Sequence, residues 1–561
     1  MAVIGSGLRV PHASKPPHWW EGAAGYQVYV PSFADGNGDG MGDLIGVLER
    51  LDYLAWLGID LIWLSPFFVS PLADHGYDVA DHCQVDPRFG DLEVFDALIE
   101  KAHQLGIRVL LDFVANHTSD QHPWFRGSRS SSSDPKRDWY IWRDGAAAGG
   151  PPNNWVSAFG GPAWTLDPNS RQWWLHLHLP EQPDVNWNHH EVADAYDRIL
   201  RFWLDRGVDG CRIDVAHELM KHPDLPDNPE RVRGRGELRE PGTVEDWERF
   251  EHRFDLDQPS VLEIHRRWRR IADDYDALLL GEVYLLHADK LARYLVTGDG
   301  LHAAFWVQPL ALGWDPQALA TSLQEGLAST PLGSLAWVQG NHDDQSRAVT
   351  RFGGGDLGRR RSLAFSTLVA ALPGMTFTYQ GEELGLEDGK VSLDEMRDPL
   401  AVRNAAPGLG RDRVRTPLPW EPGPGSGFSS HPHPWLPVGP RSDAETIQVQ
   451  RADERSTLRR FRELLRARHA LAVADTDPVE WIGPSAIRAY RRGDVVVAMN
   501  AGSTPKTFET QHPYSTVYST AIAHRDDGSE RGSPPVPALT LGPDEAVIVR
   551  VDLSARPVRN D

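Results

Sequence analysis

The segment Gly207-Val-Asp-Gly-Cys-Arg-Ile-Asp-Val-Ala-His217 reads as a buried strand with charge at its end. A central strand stays apolar unless its ions are paired, because an unpaired buried ion costs several kcal/mol. Arg212 and Asp214 lie two residues apart and so face the same side. A guanidinium beside a carboxylate at a strand end points to an ionised, nucleophilic aspartate. Three more strand candidates end in polar groups: Asp112-Phe-Val-Ala-Asn-His117, Gly281-Glu282, and a strand followed by Gly340-Asn-His-Asp-Asp344. Asp214, Glu282 and Asp343, with His117, His342 and Arg212, are therefore expected on one mouth. Any one of them alone would read as a rim salt bridge; the whole set on successive strand ends does not.

A repeated strand–helix unit must position them. Strand candidates are Tyr26–Val30, Asp60–Leu64, Arg108–Phe113, Asp209–Asp214, Ala277–Val283, His302–Trp306, Leu335–Gln339 and Met375–Tyr379. Between them lie amphipathic stretches such as Leu44–Leu57 and Leu92–Leu105, the latter ending at Gly106 as a helix C-cap would. Eight alternations predict an α/β fold, a parallel (β/α)8 TIM barrel, with its active site at the C-terminal ends of the strands. Thr118–Asn186 shows no helical repeat but is rich in Trp, Pro, Gly and Ser, as a small domain inserted after the third strand would be. From Ala474 onward, short strands (Ala486–Tyr490, Val495–Met499, Ala546–Val551) predict a C-terminal antiparallel β domain. The expected division is 1–117 with 187–473 for the barrel, 118–186 for the insertion and 474–561 for the C-terminal domain. Lys221–Val261 and Glu387–Ser442 read as long loops over the mouth.

At 561 residues the chain is too long for one core. A net charge of −22 argues against nucleic acid or anionic membranes as partners and suits a neutral small molecule. Two cysteines, Cys83 and Cys211, make neither a disulfide framework nor a zinc site. Met1–Trp20 has no apolar run typical of a signal peptide, and no stretch approaches ~20 apolar residues. A cytoplasmic monomer or homodimer is expected. Asp35, Asn37, Asp39 and Asp43 form a separate oxygen-rich cluster that opens like an EF-hand loop, with Gly40 at the turn. Gly46 stands where that motif needs a bidentate Glu, so an EF-hand is not expected.

With these motifs, the chain resembles glycoside hydrolase family 13, the α-amylase family, and within it the oligo-1,6-glucosidase and α-glucosidase branch. The resemblance rests on Asp112–His117, Gly210–His217, Gly281–Tyr284, Gly340–Asp343 and Gln182-Pro-Asp-Val-Asn186. It runs from about residue 18 to 470. It implies Asp214 as nucleophile, Glu282 as general acid/base and Asp343 as a transition-state stabiliser. Arg212 would keep Asp214 ionised, and Glu282 would need a raised pKa. His117 and His342 would donate to sugar hydroxyls. Asp74-His-Gly-Tyr-Asp78 resembles the clamp on the non-reducing end, with a stacking face from Tyr77, acceptors in Asp74 and Asp78, and Arg411 pairing with Asp74. The branch also implies a structural Ca²⁺ on Asp35, Asn37, Asp39, Asp43 and the Met41 carbonyl, with no cofactor for catalysis. A metal-free turn held by Asp and Asn hydrogen bonds is the other reading of that loop.

The implied function is a retaining exo-α-glucosidase acting on a small α-glucoside. Val215 and Ala216, beside the nucleophile, leave α-1,4 against α-1,6 choice open, with α-1,4 preferred here. A trehalose synthase or sucrose isomerase would use the same three acids. Cys211 stands where the family usually has Phe and is expected to pack outside the barrel. A catalytically dead relative of the transporter heavy-chain type is disfavoured, since all three acids are present and no membrane segment is visible.

Overall fold

A computed structural model describes residues 18–554, apart from 233–237, 239–243, 440, 472–476, 483–486, 511 and 522–537. Eight strands close into a parallel barrel in sequence order: β1 (Ala24–Val28), β2 (Leu61–Leu64), β3 (Arg108–Phe113), β4 (Gly210–Ile213), β5 (Leu278–Gly281), β6 (Ala303–Trp306), β7 (Leu335–Trp337) and β8 (Met375–Tyr379). All eight expected strands are present. Several are shorter by one to three residues, as where Asp209 and Asp214 fall outside β4, and β1 lies two residues earlier than the expected Tyr26–Val30.

Side-chain alternation sorts the two faces of each strand. Leu110, Leu278, Leu280 and Ala336 turn inward and pack with Trp63, Phe305 and Phe377. Leu111, Cys211, Ile213, Leu279 and Trp337 turn outward against the helices. Cys211 thus packs outside the barrel as expected, and both cysteines are free thiols. Arg212 falls on the inward set, and Asp214 and Glu282 continue that set past the strand ends.

Helix α1 (Leu44–Leu57) matches its sequence pattern from end to end. The Asp43 carboxylate accepts from Gly46 N at 2.6 Å, and Gly58 closes the helix at φ 98°. Helix α2 (Leu92–Gln104) is capped by Asp91 and followed by Gly106 at φ 75°. Between β3 and β4 lies a three-stranded antiparallel sheet of Trp142–Arg143, Trp173–Leu175 and Trp164–Leu166. The insertion also holds a helix, Pro123–Ser130, which the absence of a helical repeat did not suggest. Pro123 and the His122 cap start it, and only Phe125 and Ser128 are buried, so its apolar stripe is too short to read.

The C-terminal sheet has strand order Glu480–Ile482, Ile487–Arg492, Val495–Asn500, Ala546–Val551, Tyr514–Ser519, all antiparallel. It docks on the barrel through Tyr490, whose hydroxyl donates to the Leu368 carbonyl at 2.8 Å. The expected boundary at 474, position 486 and the first 17 residues lie outside the described residues. No helix among the described residues is long and apolar enough to cross a membrane.

Candidate active site

Register places the first ion pair. Asp112 on β3 and Arg212 on β4 are direct neighbours in the ladder. The Arg212 guanidinium is 1% exposed and reaches Asp112 Oδ1 at 2.6 Å, Asp214 Oδ1 at 2.6 Å and Glu282 Oε1 at 2.5 Å. It also lies over the Trp63 ring, 4.8 Å from its centroid. Asp112 Oδ2 accepts from Trp63 Nε1 and the Tyr77 hydroxyl.

One guanidinium therefore serves three carboxylates. Burial raises Asp112 to about 6, with Arg212 opposing and Glu282 adding to the rise. Burial likewise lifts Asp214 well above the usual carboxylate range despite Arg212, and the charges of Glu282 and Asp112 reinforce it. Arg212 works against that rise, with its charge divided among three carboxylates.

The ends of β4 and β5 are tied together. Val215 N donates to Glu282 Oε2 at 3.0 Å, and Ala216 N donates to the Glu282 carbonyl at 2.8 Å. Val215 adopts φ 35°, a left-handed conformation that a β-branched residue avoids. Strain of this kind is stored where surrounding contacts fix it, here directly after Asp214.

Asp343 Oδ1 accepts from Arg411 Nη1 at 2.7 Å and Arg415 Nη2 at 2.8 Å, with His342 Nε2 3.3 Å from Oδ2. Burial works to raise its pKa, yet His342, Arg411 and Arg415 take it far below the usual range. Arg411 also reaches Asp74 Oδ1 at 3.2 Å, the pairing that the family resemblance implied, and Asp398 at 2.8 Å. Gln182 Nε2 meets both Asp74 Oδ2 at 3.2 Å and His117 Nε2 at 3.1 Å.

Asp74, Tyr77, His117, Asp214, Glu282, Asp343 and Arg411 line one cavity. Three predicted residues do not reach it. Asp78 is buried, with both oxygens accepting from Ala73 N and Asp74 N, so it holds the loop that carries Asp74. His342 lies beneath, its nitrogens meeting Gln27 Nε2 at 2.6 Å and the Tyr77 hydroxyl at 2.7 Å, and burial takes its pKa well below 6.5. Arg212 underlies the carboxylates. These three are positioning groups: Asp78 and His342 spend their polar atoms on protein partners, and both terminal nitrogens of Arg212 are given to carboxylates, its buried Nε being left without a partner.

Sequence reading missed Arg415, Asp398, Phe159, Trp247, His178 and Glu218, and took Gln182 only as part of a family marker. Arg415 shares the segment Arg411-Asp-Arg-Val-Arg415, where nothing in residue type separates the three arginines. His178 comes from the insertion and Glu218 from the loop after β4, and both line the cavity. His178 Nε2 meets Glu218 Oε2 at 3.0 Å. Burial would depress His178, but the Glu218 charge and bond raise it from 6.5 to about 9, while Glu218 falls to about 2. A histidine raised on folding stabilises fully below pH 6.5 and loses that contribution as pH climbs through about 9. The stability advantage of the native protein over the double variant His178→Phe/Glu218→Gln, which leaves no unpaired buried acid, is therefore expected to shrink by on the order of 3 kcal/mol between pH 6 and pH 10. Thermal unfolding of both at each pH checks it, and a pH-independent gap would refute it.

In the oxygen-rich loop, Asp35 accepts from Gly38 N and Gly40 N, Asp39 from Met41 N, and Asp43 from Gly36 N and Asn37 N. Burial raises the pKa of Asp43, and the nearby Asp35 charge adds to it. Among the described residues, no group of three or more His, Cys, Asp or Glu side chains is placed to hold a metal ion.

Residues 27–476 match the family model of the α-amylase catalytic domain. A probable α-glucosidase of Rhizobium meliloti (strain 1021) is 41% identical over 473 residues, covering 83% of this chain and 86% of that protein. A trehalose-6-phosphate hydrolase of Escherichia coli (strain K12) is 36% identical over 500 residues, covering 82% and 85%. Among solved structures, the α-glucosyl transfer enzyme XgtA superimposes with a TM-score of 0.87 at 36% identity, covering 96% of this chain and 100% of that one. The trehalulose synthase MutB gives 0.84 at 29% identity, covering 95% and 100%. With its closed barrel, its acids at the strand ends and these matches, the chain belongs to the α-amylase family of glycoside hydrolases.

Proposed function

We propose that the protein is a retaining, exo-acting α-glucosidase that releases terminal glucose from maltose and short α-glucosides, chiefly across α-1,4 bonds. The observation that carries this reading is the seating of Asp214 and Glu282 on the two terminal nitrogens of one buried guanidinium. Retaining enzymes hold their carboxyl groups roughly 5 Å apart, and inverting ones roughly 6.5–9.5 Å apart to admit water. Two carboxylates gripped by one guanidinium belong with the closer class.

In the first step an Asp214 oxygen attacks the anomeric carbon while Glu282 gives its proton to the glycosidic oxygen. The C–O bond breaks as the glucosyl–Asp214 ester forms. Glu282 then takes a proton from water, whose oxygen attacks the anomeric carbon and restores both carboxyl groups. Asp343, kept negative by Arg411 and Arg415, faces the positive charge that develops at the anomeric centre. Arg411 bridges Asp74 and Asp343, which supports a pocket closed behind a single glucose unit.

Transglucosylation or isomerisation is the second reading. Phe159, Leu400, Trp247 and Val215 give the cavity an apolar side that could seat an acceptor sugar in place of water, and two structural neighbours are a transfer enzyme and a trehalulose synthase. Products from maltose, isomaltose, sucrose, trehalose and maltotriose decide between them. Free glucose from maltose as the main product supports hydrolysis; trehalose or longer oligosaccharides as main products overturn it.

A structural Ca²⁺ belongs to the same proposal, with Asp35, Asn37, Asp39, Asp43 and the Met41 carbonyl as its oxygen ligands. Asp35 Oδ1, Asp39 Oδ1 and Asp43 Oδ2 each accept one N–H and retain a lone pair, and the buried Asp43 beside Asp35 favours a neighbouring cation. Chelation is expected to lower the melting temperature by several degrees; an unchanged melting curve with no metal in elemental analysis would refute it. Two free thiols accord with a reducing, cytoplasmic setting. The acting unit is proposed as a monomer or homodimer.

A further inference from the structure

The His178–Glu218 pair is not used by the mechanism above, yet it stands in the wall of the same cavity as Asp214, Glu282 and Asp343. Its side chains are 14% and 6% exposed, so this is not a solvated surface ion pair. Both ends are fixed independently of any ligand. The Glu218 carbonyl accepts from Lys221 Nζ at 2.7 Å, and that ammonium also holds Asp184 at 2.6 Å and Asn116 at 2.6 Å. The His178 carbonyl accepts the Ser157 hydroxyl at 2.6 Å and faces His176 Nδ1 at 3.0 Å.

The imidazole spends only Nε2 on Glu218. Its Nδ1 has no partner among the described residues and is absent from the buried unpartnered atoms, so it opens onto the cavity. The His178 ring lies 4.9 Å from that of His117, whose Nε2 meets Gln182 and through it Asp74. The free nitrogen therefore stands beside His117, Gln182 and Asp74, which line the same cavity.

We propose that His178, oriented by Glu218, is a specificity-determining donor whose Nδ1–H hydrogen-bonds to one hydroxyl of the sugar held in this cavity. The proposal rests on the glucosidase reading above. Glu218 holds the imidazole in its doubly protonated form at neutral pH, so with Nε2–H given to the carboxylate, Nδ1–H remains to donate. A site built to bond a hydroxyl discriminates against the analogue that lacks it, because the buried donor is left without a partner.

The test uses 4-nitrophenyl α-glucoside and its four monodeoxy analogues, at positions 2, 3, 4 and 6, with the native enzyme, His178→Phe, His178→Gln and Glu218→Gln. For one position only, His178→Phe is expected to lower kcat/KM on the parent by roughly 10- to 100-fold while changing the deoxy analogue less than 3-fold. The other three analogues should fall together with the parent. His178→Gln, which keeps a donor, should recover part of the loss, and Glu218→Gln should show a smaller loss confined to the same position. Equal losses on all five substrates, or none, would overturn the proposal and leave the pair a purely structural tie. If His178→Phe does not fold, the same comparison is read from the other two variants. Native turnover of the parent glucoside is the separate check on the glucosidase reading, and its absence overturns that reading together with this one.

Discussion

Replacement of Asp214 by alanine is expected to lower kcat on 4-nitrophenyl α-glucoside by at least ~10⁴-fold, the scale on which a nucleophile contributes. The fold should survive. Arg212 keeps Asp112 and Glu282 as partners, and removing one of three carboxylates from an over-charged cluster relieves repulsion. The melting temperature is therefore expected to be equal to or above that of the native enzyme. Azide supplies a product-level check. In Asp214→Ala the anion attacks the anomeric carbon directly, and the glucosyl azide formed has the β configuration. In Glu282→Ala the ester on Asp214 still forms from an activated substrate, azide attacks it, and the product is the α-azide. Near-native turnover in Asp214→Ala, or the same anomer from both variants, would dismantle the mechanism.

Arg212→Met is expected to be the most damaging change to fold and site together. Breaking a buried ion network by removing its one cation typically costs ~3–5 kcal/mol. Activity should fall by ~10³-fold or more, because the carboxyl groups of Asp214 and Glu282 lose the group that sets their spacing. Lysine should not rescue it, since a point charge cannot span three carboxylates as a planar guanidinium does. The stability loss should also depend on pH in a defined direction. Asp112 already titrates near 6 and Asp214 above the usual range; without Arg212 both shift further up. A carboxyl with a raised folded pKa makes the folded state bind more protons than the unfolded one, so stability falls as pH rises above the unfolded value near 4. The deficit of Arg212→Met should therefore be larger at pH 8 than at pH 5. Equal deficits at both pH values would show that Arg212 acts by packing alone.

Much of this was readable in the chain because its signals are local. Short apolar runs marked all eight strands, and Gly106 marked the end of α2 through capping chemistry that needs no distant partner. The spacing of Arg212 and Asp214 put both on the inner face. Asp74 and Arg411 were paired across more than three hundred residues, but only through resemblance to a known family. The helix Pro123–Ser130 went unread because two turns with few buried residues give no period.

Residue types and their order thus determined the barrel, the three acids at its mouth and the family. Tertiary structure decided how charge is distributed among them. That Asp112 stands beside Arg212 depends on strand register, so the guanidinium serves three carboxylates instead of one. That Asp78 and His342 turn away from the cavity depends on which backbone and side-chain groups meet them. The insertion brings His178 against Glu218, forty positions later in the chain, and no pattern in either segment records the contact. Hydrogen bonding and burial are properties of neighbours in space, and a linear sequence fixes those only after the fold has closed.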